Sequence, residues 1–89
     1  MELVYTKRFN KDLDAIQHNK EIRKGLLELI ETLKQASSLA ELREVRKIKG
    51  YADYYRIKLG EYRLGMKLTK SSIELIRFLH RKEIHRRFP

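Results

Sequence analysis

The chain has 89 residues, enough to build one hydrophobic core and little more. Lysine and arginine number 21 against 12 aspartates and glutamates, which gives a formal net charge of +9. So much charge of one sign repels itself, and we therefore expect a polyanionic partner: nucleic acid, an anionic membrane surface or an acidic protein.

A membrane partner does not fit the sequence. No apolar run approaches the length that a bilayer span requires, and the amino terminus lacks the basic and apolar regions of a signal peptide. Cysteine is absent, which excludes disulfides, thiolate metal sites and a cysteine nucleophile. We therefore expect a cytoplasmic protein that has no membrane partner.

The first half of the chain has the pattern of helices. A short strand is predicted at residues 3–5, and Thr6 after it is predicted to cap a helix. Asn19 is predicted to cap a second helix, which continues to about Lys34 and is broken at Ser37. The two helices are expected to form a hairpin.

In the second half the hydrophobic period changes from 3.6 to 2. Strands are predicted at 45–49, 54–59, 62–68 and 73–79, and a strongly basic tail at 81–88 is expected to form about half a turn of helix. The predicted fold class is α+β, with the N-terminal strand and helical hairpin packed on one face of an antiparallel β-meander. No linker or repeat interrupts the chain, so residues 1–89 are expected to form one domain.

Strand alternation places four cations on the sheet face that the helices leave free. This surface, called the basic face below, carries Arg56, Lys58, Arg63 and Lys67. Like charges on adjacent strands destabilise a sheet, so the single sign favours a phosphate-binding surface over an ordinary solvated one. Tyr54 lies beside the cluster, where it could stack on an exposed base, whereas Tyr55 alternates with core residues.

No other chemical motif stands out. His80 and His85 flank Glu83, but their order and spacing match neither zinc-protease pattern, so no metal and no cofactor are predicted. A Ser-His-Asp arrangement, a phosphate-binding glycine loop and a carboxylate pair are all missing. Any chemistry must therefore depend on cations, histidine and tyrosine.

The order of these segments resembles the RelE toxins of the RelE/ParE superfamily. The matching pieces are Lys49-Gly50, the strand 54–59, Glu61-Tyr62-Arg63-Leu64 and Leu79-His80-Arg81-Lys82. The resemblance covers nearly the whole chain. It implies an endoribonuclease that enters the ribosomal A site and cuts the messenger without metal, by attack of a ribose 2′-hydroxyl on the adjacent phosphate. It also implies a labile, RelB-like antitoxin, acidic and partly disordered, that covers the basic surface.

The resemblance assigns catalytic roles to five cations. Lys58 matches the family lysine that is proposed as general base, and Arg63 matches the arginine that grips the scissile phosphate. Arg56 stands where many relatives carry lysine. Arg81 and Lys82 match the basic pair after the last strand, one of which is expected to help the leaving oxygen.

One position departs from the family pattern. Many relatives close with a tyrosine that would fall at His85, and others place it where Phe88 stands. A histidine at position 85 could still stack on a base or transfer a proton, so His85 joins the predicted catalytic set. The predicted RNA-binding residues are Lys47, Lys49, Tyr54, Lys67, Arg86, Arg87 and Phe88.

Two other functions remain open from the sequence. One is a ParE-like inhibitor that binds DNA gyrase and performs no chemistry, although such a protein does not need cations on the sheet. The other is an RNA- or ribosome-binding module that has the same fold but does not cut. The departure at His85 keeps this second alternative open.

Overall fold

The computed structural model describes all 89 residues, Met1–Pro89, and confirms the predicted α+β class. The elements are β1 (Glu2–Tyr5), α1 (Lys7–Ala15), α2 (Lys20–Gln35), a 3-10 turn (Leu39–Glu41), β2 (Val45–Lys47), β3 (Tyr54–Leu59), β4 (Tyr62–Leu68), β5 (Ser72–His80) and α3 (Arg81–Arg87). The five strands form one sheet in the order β1-β5-β4-β3-β2, in which β1 runs parallel to β5 and all other pairs are antiparallel. No helix is both long and apolar enough to cross a membrane.

Both predicted helix caps are confirmed. The Thr6 hydroxyl accepts a hydrogen bond from the Phe9 N–H at 3.2 Å and donates to the Leu75 carbonyl at 2.9 Å. The Asn19 side chain accepts from the Ile22 N–H at 3.1 Å. Each cap satisfies a backbone N–H that would otherwise lack a partner, and Thr6 also fastens the start of α1 to β5.

The main core lies between the helical hairpin and one face of the sheet. It contains twelve buried residues, and the most enclosed of them, including Phe9 and Leu33, have no exposed surface at all. Leu64 and Met66 of β4 point into it, as the alternation predicts. Tyr55 packs against this core and so has the structural role expected of it.

A buried ion pair joins α1 to β5 at the point where β1 has ended. Arg77 donates to the Asp12 carboxylate from Nε at 2.9 Å and from Nη2 at 3.0 Å. The Phe78 N–H, which has no strand partner here, donates to the same carboxylate at 2.9 Å. Both charged side chains are about nine-tenths buried. Asp12 thus closes the sheet edge that β1 leaves open, and this pair was not predicted from the sequence.

The basic tail differs from its prediction, because it forms a seven-residue helix rather than half a turn. Helix α3 begins at a His80 cap whose Nδ1 accepts from the Lys82 N–H at 3.2 Å. It packs on the sheet face opposite the hairpin, where Ile84 and Phe88 join Leu79 in a second small core. The sheet is therefore covered in part on both faces.

A glycine makes room for that helix. A Cβ built on Gly65 would lie 2.8 Å from ring carbons of Phe88, closer than real Cβ contacts come. The Phe88 ring also packs against Tyr54, with 5.8 Å between ring centroids. Gly65 is thus the notch in the basic face that holds the end of α3.

Strand β2 is shorter than predicted, because it ends at Lys47 rather than at residue 49. The chain then turns through Gly50, with φ of 86°, and Asp53, with φ of 65°. In β5 the pairing with β4 shifts by one residue at Ile76, which packs against the second core. The bulge lets β5 contribute to both cores.

Replacement of Asp12 by alanine should destabilise the protein strongly, because the variant leaves a buried guanidinium and the Phe78 N–H without partners. We expect a loss of about 3–5 kcal/mol in the free energy of unfolding, measured by urea denaturation. The matched control is Glu31→Ala, which breaks an exposed pair with Lys34 and should cost less than about 1 kcal/mol. Equal midpoints for the two variants would contradict the account of the buried pair.

Replacement of Gly65 by alanine should displace the Phe88 ring and loosen α3, at a cost of about 1–3 kcal/mol. Limited digestion with trypsin detects this, because the backbone of a loosened α3 can enter the protease and be cut after its arginines. The matched control is Gly25→Ala, whose Cβ meets only the flexible end of Leu59 at 3.3 Å. If the tail of the Gly65 variant is cut no faster than that of the control, Gly65 is not needed to accommodate the Phe88 ring.

Candidate functional site

Two like charges face each other at the centre of the candidate site. Lys58 of β3 pairs in register with Arg63 of β4, which places their Cα atoms about 4.5–5.5 Å apart. The Arg63 Nη1 donates to the carbonyls of Gly60 and Tyr62, each at 2.9 Å. Its Nε and Nη2 are therefore left for an anion, while the exposed Lys58 ammonium has no acidic partner within ion-pair distance.

The β3–β4 turn connects this pair to the start of α3. The Arg81 Nε lies 2.6 Å from the Glu61 carboxylate, and the Arg81 N–H donates to the Glu61 carbonyl at 2.7 Å. Both side chains are more than half exposed, so their ion pair is weak and a phosphate can compete for the guanidinium. Lys82 follows in the first turn of α3 and is exposed.

Helix α3 brings His85 to the basic face. Its Nδ1 lies 3.3 Å from Nη1 of Arg56. A guanidinium has no acceptor, so the contact requires that Nδ1 accept the hydrogen bond and that the proton of a neutral ring sit on Nε2. The imidazole is thus oriented by a residue of the sheet.

Tyr54 and Lys67 form the far end of the face. They pair in register, and the Lys67 ammonium lies 5.5 Å from the centroid of the Tyr54 ring. Glu74 is the register partner of Lys67 on its other side. Acidic groups therefore flank the basic face at both ends, with Glu61 at the turn, and the uncompensated charge is concentrated at its middle.

Two of the predicted RNA-binding residues, Lys47 and Phe88, do not present their side chains on the basic face. Lys47 pairs in register with Tyr55 and so points to the hairpin side of the sheet, away from the basic face. Phe88 is buried at 6% exposure and holds α3 in place, so in this arrangement it offers no ring to a base. Lys49 lies exposed in the turn after β2.

Sequence reasoning missed one cation on the basic face. Arg46 pairs in register with Arg56 and therefore points to the same side of the sheet. The signal was present, because the apolar Val45 faces the hairpin and its neighbour in a strand must face the other way. Arg46, and not Lys47, is therefore the cation of β2 that lies on the basic face.

Arg86 and Arg87 are exposed on α3, but they point away from His85. Successive residues of a helix are turned by about 100°, so these arginines leave the helix on other sides. Both pair with Glu83, whose carboxylate lies 3.3 Å from Arg86 and 3.7 Å from Arg87. No group of three or more His, Asp or Glu side chains comes together as a metal-ligating cluster.

The arrangement is suited to an anion with several oxygens. Arg56, Lys58 and Arg63 offer N–H donors from adjacent strands, and His85 adds an imidazole whose nitrogens can donate or accept a proton. The strands fix these groups before any ligand binds. Such a site can bind a phosphodiester and stabilise charge that develops on its oxygens.

Comparison with known proteins extends these observations. Residues 3–85 match the model of a family described as the ParE toxin of the type II toxin-antitoxin system, parDE. The chain is 40% identical over 90 residues to Toxin RelE3 of Methanocaldococcus jannaschii, with all of both proteins covered.

Solved structures agree with this result. A chain of the RelB-RelE antitoxin-toxin complex from Methanococcus jannaschii is 38% identical and superposes with a TM-score of 0.81, covering 97% of this chain and 99% of that one. YafQ from Escherichia coli, 16% identical, shares the fold with a TM-score of 0.74 over 93% of this chain and 96% of its own. The chain therefore belongs to the ParE toxin family of type II toxin-antitoxin systems, within the RelE/ParE superfamily.

Proposed function

We propose that this toxin is an endoribonuclease that cuts messenger RNA in the ribosomal A site, without metal, and so inhibits translation. The observation that carries the proposal is the Lys58–Arg63 pair, a lysine without an acidic partner beside an arginine with free N–H donors. Holding two cations together in this way destabilises the sheet, and a bound phosphate relieves that cost.

The proposed reaction begins with the 2′-hydroxyl of the messenger. Lys58 acts as the general base that removes the proton, and the oxygen attacks the adjacent phosphorus. The bond from phosphorus to the 5′-oxygen breaks, which leaves a 2′,3′-cyclic phosphate on one fragment and a 5′-hydroxyl on the other. No water and no metal ion enters this step.

Arg56 and Arg63 stabilise the reaction electrostatically. Arg63 holds the scissile phosphate through Nε and Nη2. Arg56 lies two residues before Lys58 in β3, on the same face of the sheet and about 7 Å away. Both are fixed by the strands, so they need little reorganisation as negative charge grows on the phosphate oxygens. Arg46 adds to the positive potential at that side.

The leaving 5′-oxygen must gain a proton to become the hydroxyl, and nearby positive charge stabilises it until that proton is transferred. Arg81 and Lys82 at the start of α3 supply charge once Arg81 exchanges Glu61 for the substrate. His85 carries a ring proton on Nε2 when its Nδ1 accepts from Arg56, and it stands where many relatives have tyrosine. We propose that His85 donates this proton or stacks on a base beside the cut.

Two macromolecular partners accompany this function. One is the translating ribosome with its messenger, which places the action of the toxin in the cytoplasm. The other is a RelB-like antitoxin, supported by the solved RelB-RelE complex of the 38% identical relative. We propose that it brings an acidic, partly disordered segment that folds on the basic face, so its binding weakens as salt is added.

The matching family model is described as a ParE toxin, so we retain as one alternative the ParE-like inhibitor of DNA gyrase that performs no chemistry. Such a toxin needs no proton-transferring group beside a phosphate grip. A supercoiling assay separates the two functions, because only the inhibitor leaves relaxed DNA. Ribosome binding without a new RNA end would instead indicate the non-cleaving module.

Replacement of Lys58 by alanine should abolish cutting while ribosome binding mostly survives. Removal of a general base lowers the rate by about 10²–10⁴-fold. The measurement is primer extension on ribosomes stalled on a defined messenger, with Lys70→Ala, an exposed lysine in the β4–β5 turn, as the control. Cutting by the Lys58 variant at the control rate would remove Lys58 as the base.

Replacement of Arg63 by alanine should weaken both ribosome binding and cutting, because it removes the phosphate grip. We expect Arg63→Lys to restore binding more than cutting, since lysine keeps the charge and loses the planar fork of donors. Binding and single-turnover cutting are measured on the same stalled ribosomes. Full activity of Arg63→Ala would refute the basic face as the site.

A further inference from the structure

A second cationic cleft lies between α1 and the C-terminal helix. It has a volume of about 610 Å³ and lies at the edge of the sheet that Asp12 closes. Apart from Pro89, every side chain that lines it is charged, with five cations and one carboxylate. The lining residues are Arg8, Lys11, Asp12, Arg77, Arg86, Arg87 and Pro89.

The charges of this cleft are only partly compensated. Asp12 is fully used by Arg77 and the Phe78 N–H, so this carboxylate does not neutralise the other cations. Arg8 and Lys11 stand one turn apart on α1, both exposed and neither within ion-pair distance of an acid. Their charges therefore face open solvent.

On the α3 side of the cleft, Arg86 and Arg87 share the single acid Glu83, at 3.3 Å and 3.7 Å. All three side chains are more than two-fifths exposed, so these pairs are weak and leave the guanidinium groups exchangeable. The cleft thus has exposed positive charges on two opposite walls, one formed by α1 and the other by α3.

Helix α3 stands between the cleft and the basic face. His85 contacts Arg56 on the sheet, whereas Arg86 and Arg87, turned by about 100° and 200° from it, line the cleft. A strand of polyanion that leaves the basic face over α3 therefore meets a second set of cations on the other side.

We propose that this cleft is a second phosphate-binding site, which holds the backbone of RNA away from the phosphodiester that reacts. The inference rests on the proposed ribonuclease function, and it adds Arg8 and Lys11 to the residues that bind RNA. Arginine and lysine on opposite walls suit phosphate oxygens, which accept several charge-assisted hydrogen bonds at once.

The lining favours RNA over an acidic peptide. A disordered segment that folds on binding must bury apolar side chains to offset the entropy it loses. Apart from the ring of Pro89, the apolar surface of this cleft comes only from the stems of charged side chains, and no hydrophobic residue lines it. A phosphodiester backbone needs no apolar anchor, since release of its counterions drives the association.

The test compares two double variants of the full chain that lose the same charge. Arg8→Gln with Lys11→Gln empties the α1 side of the cleft, and Lys20→Gln with Arg23→Gln removes an arginine and a lysine three residues apart on α2, outside it. None of the four residues belongs to the cleavage site. Affinity for ribosomes, and for a single-stranded RNA oligonucleotide, is measured across a salt series.

The cleft variant should bind RNA on the order of tenfold more weakly at low salt, with the slope of log K against log salt reduced by about 1.5 relative to the parent. The α2 variant should bind as the parent does. Weakening on ribosomes alone identifies ribosomal RNA as the ligand, and equal weakening on the oligonucleotide identifies the messenger strand.

Equal affinities of the two variants for both RNAs would overturn the inference. So would a cleft variant that loses affinity for the antitoxin and keeps its affinity for RNA, because the cleft would then be a peptide site. These measurements concern binding, so they remain valid if the parent protein fails to cut. A parent protein that fails to cut would count against the proposed reaction. Equal RNA affinities of the cleft variant and the α2 variant would count against the cleft as a binding site.

Discussion

The constraint on which this structure depends is the repulsion between Lys58 and Arg63, held directly opposite each other by the β3–β4 ladder. Like charges in this position oppose strand pairing. The same two strands, however, bury Ile57 and Leu64 on their other side, with 2% and 0% exposure. The backbone ladder and this core together hold the cations in place before any phosphate arrives. Preorganisation of this kind is what electrostatic catalysis requires, and it is obtained at the expense of stability.

The second condition is the docking of α3 on the same face. The Phe88 ring fits only because Gly65 lacks a side chain, and its packing fixes the end of a helix too short to be stable alone. The other end is fixed by Arg81, which is bound to the β3–β4 turn through both its backbone and its side chain. His85 lies between these two fixed ends and contacts Arg56. The histidine is therefore positioned by packing that lies outside the site.

Much of this could be predicted from local pattern, because caps, periodicity and alternation are local properties. Thr6 and Asn19 were predicted as the N-caps of the two helices, and the alternation along β3 and β4 predicted which cations share the basic face. What could not be read locally depends on contacts between distant segments. The Asp12–Arg77 pair joins residues 65 apart in sequence, and nothing near either residue marks the other. The role of Phe88 likewise depends on a glycine in another strand. The side of the sheet on which Arg46 and Lys47 lie could have been predicted. Val45 is apolar and faces the core, so strand alternation puts Arg46 on the opposite face and Lys47 on the same face as Val45.

The most direct test of the account is the chemistry of the RNA ends that the purified toxin produces on ribosomes stalled on a defined messenger. A lysine base and arginine grip acting on a 2′-hydroxyl predict a cut within the A-site codon, with a 2′,3′-cyclic phosphate on the upstream fragment and a 5′-hydroxyl on the downstream one. Mass spectrometry of the two fragments distinguishes these ends. A 5′-phosphate on the downstream fragment would show attack by water and contradict the proposed reaction. No new end on ribosomes that have bound the toxin would contradict the ribonuclease altogether.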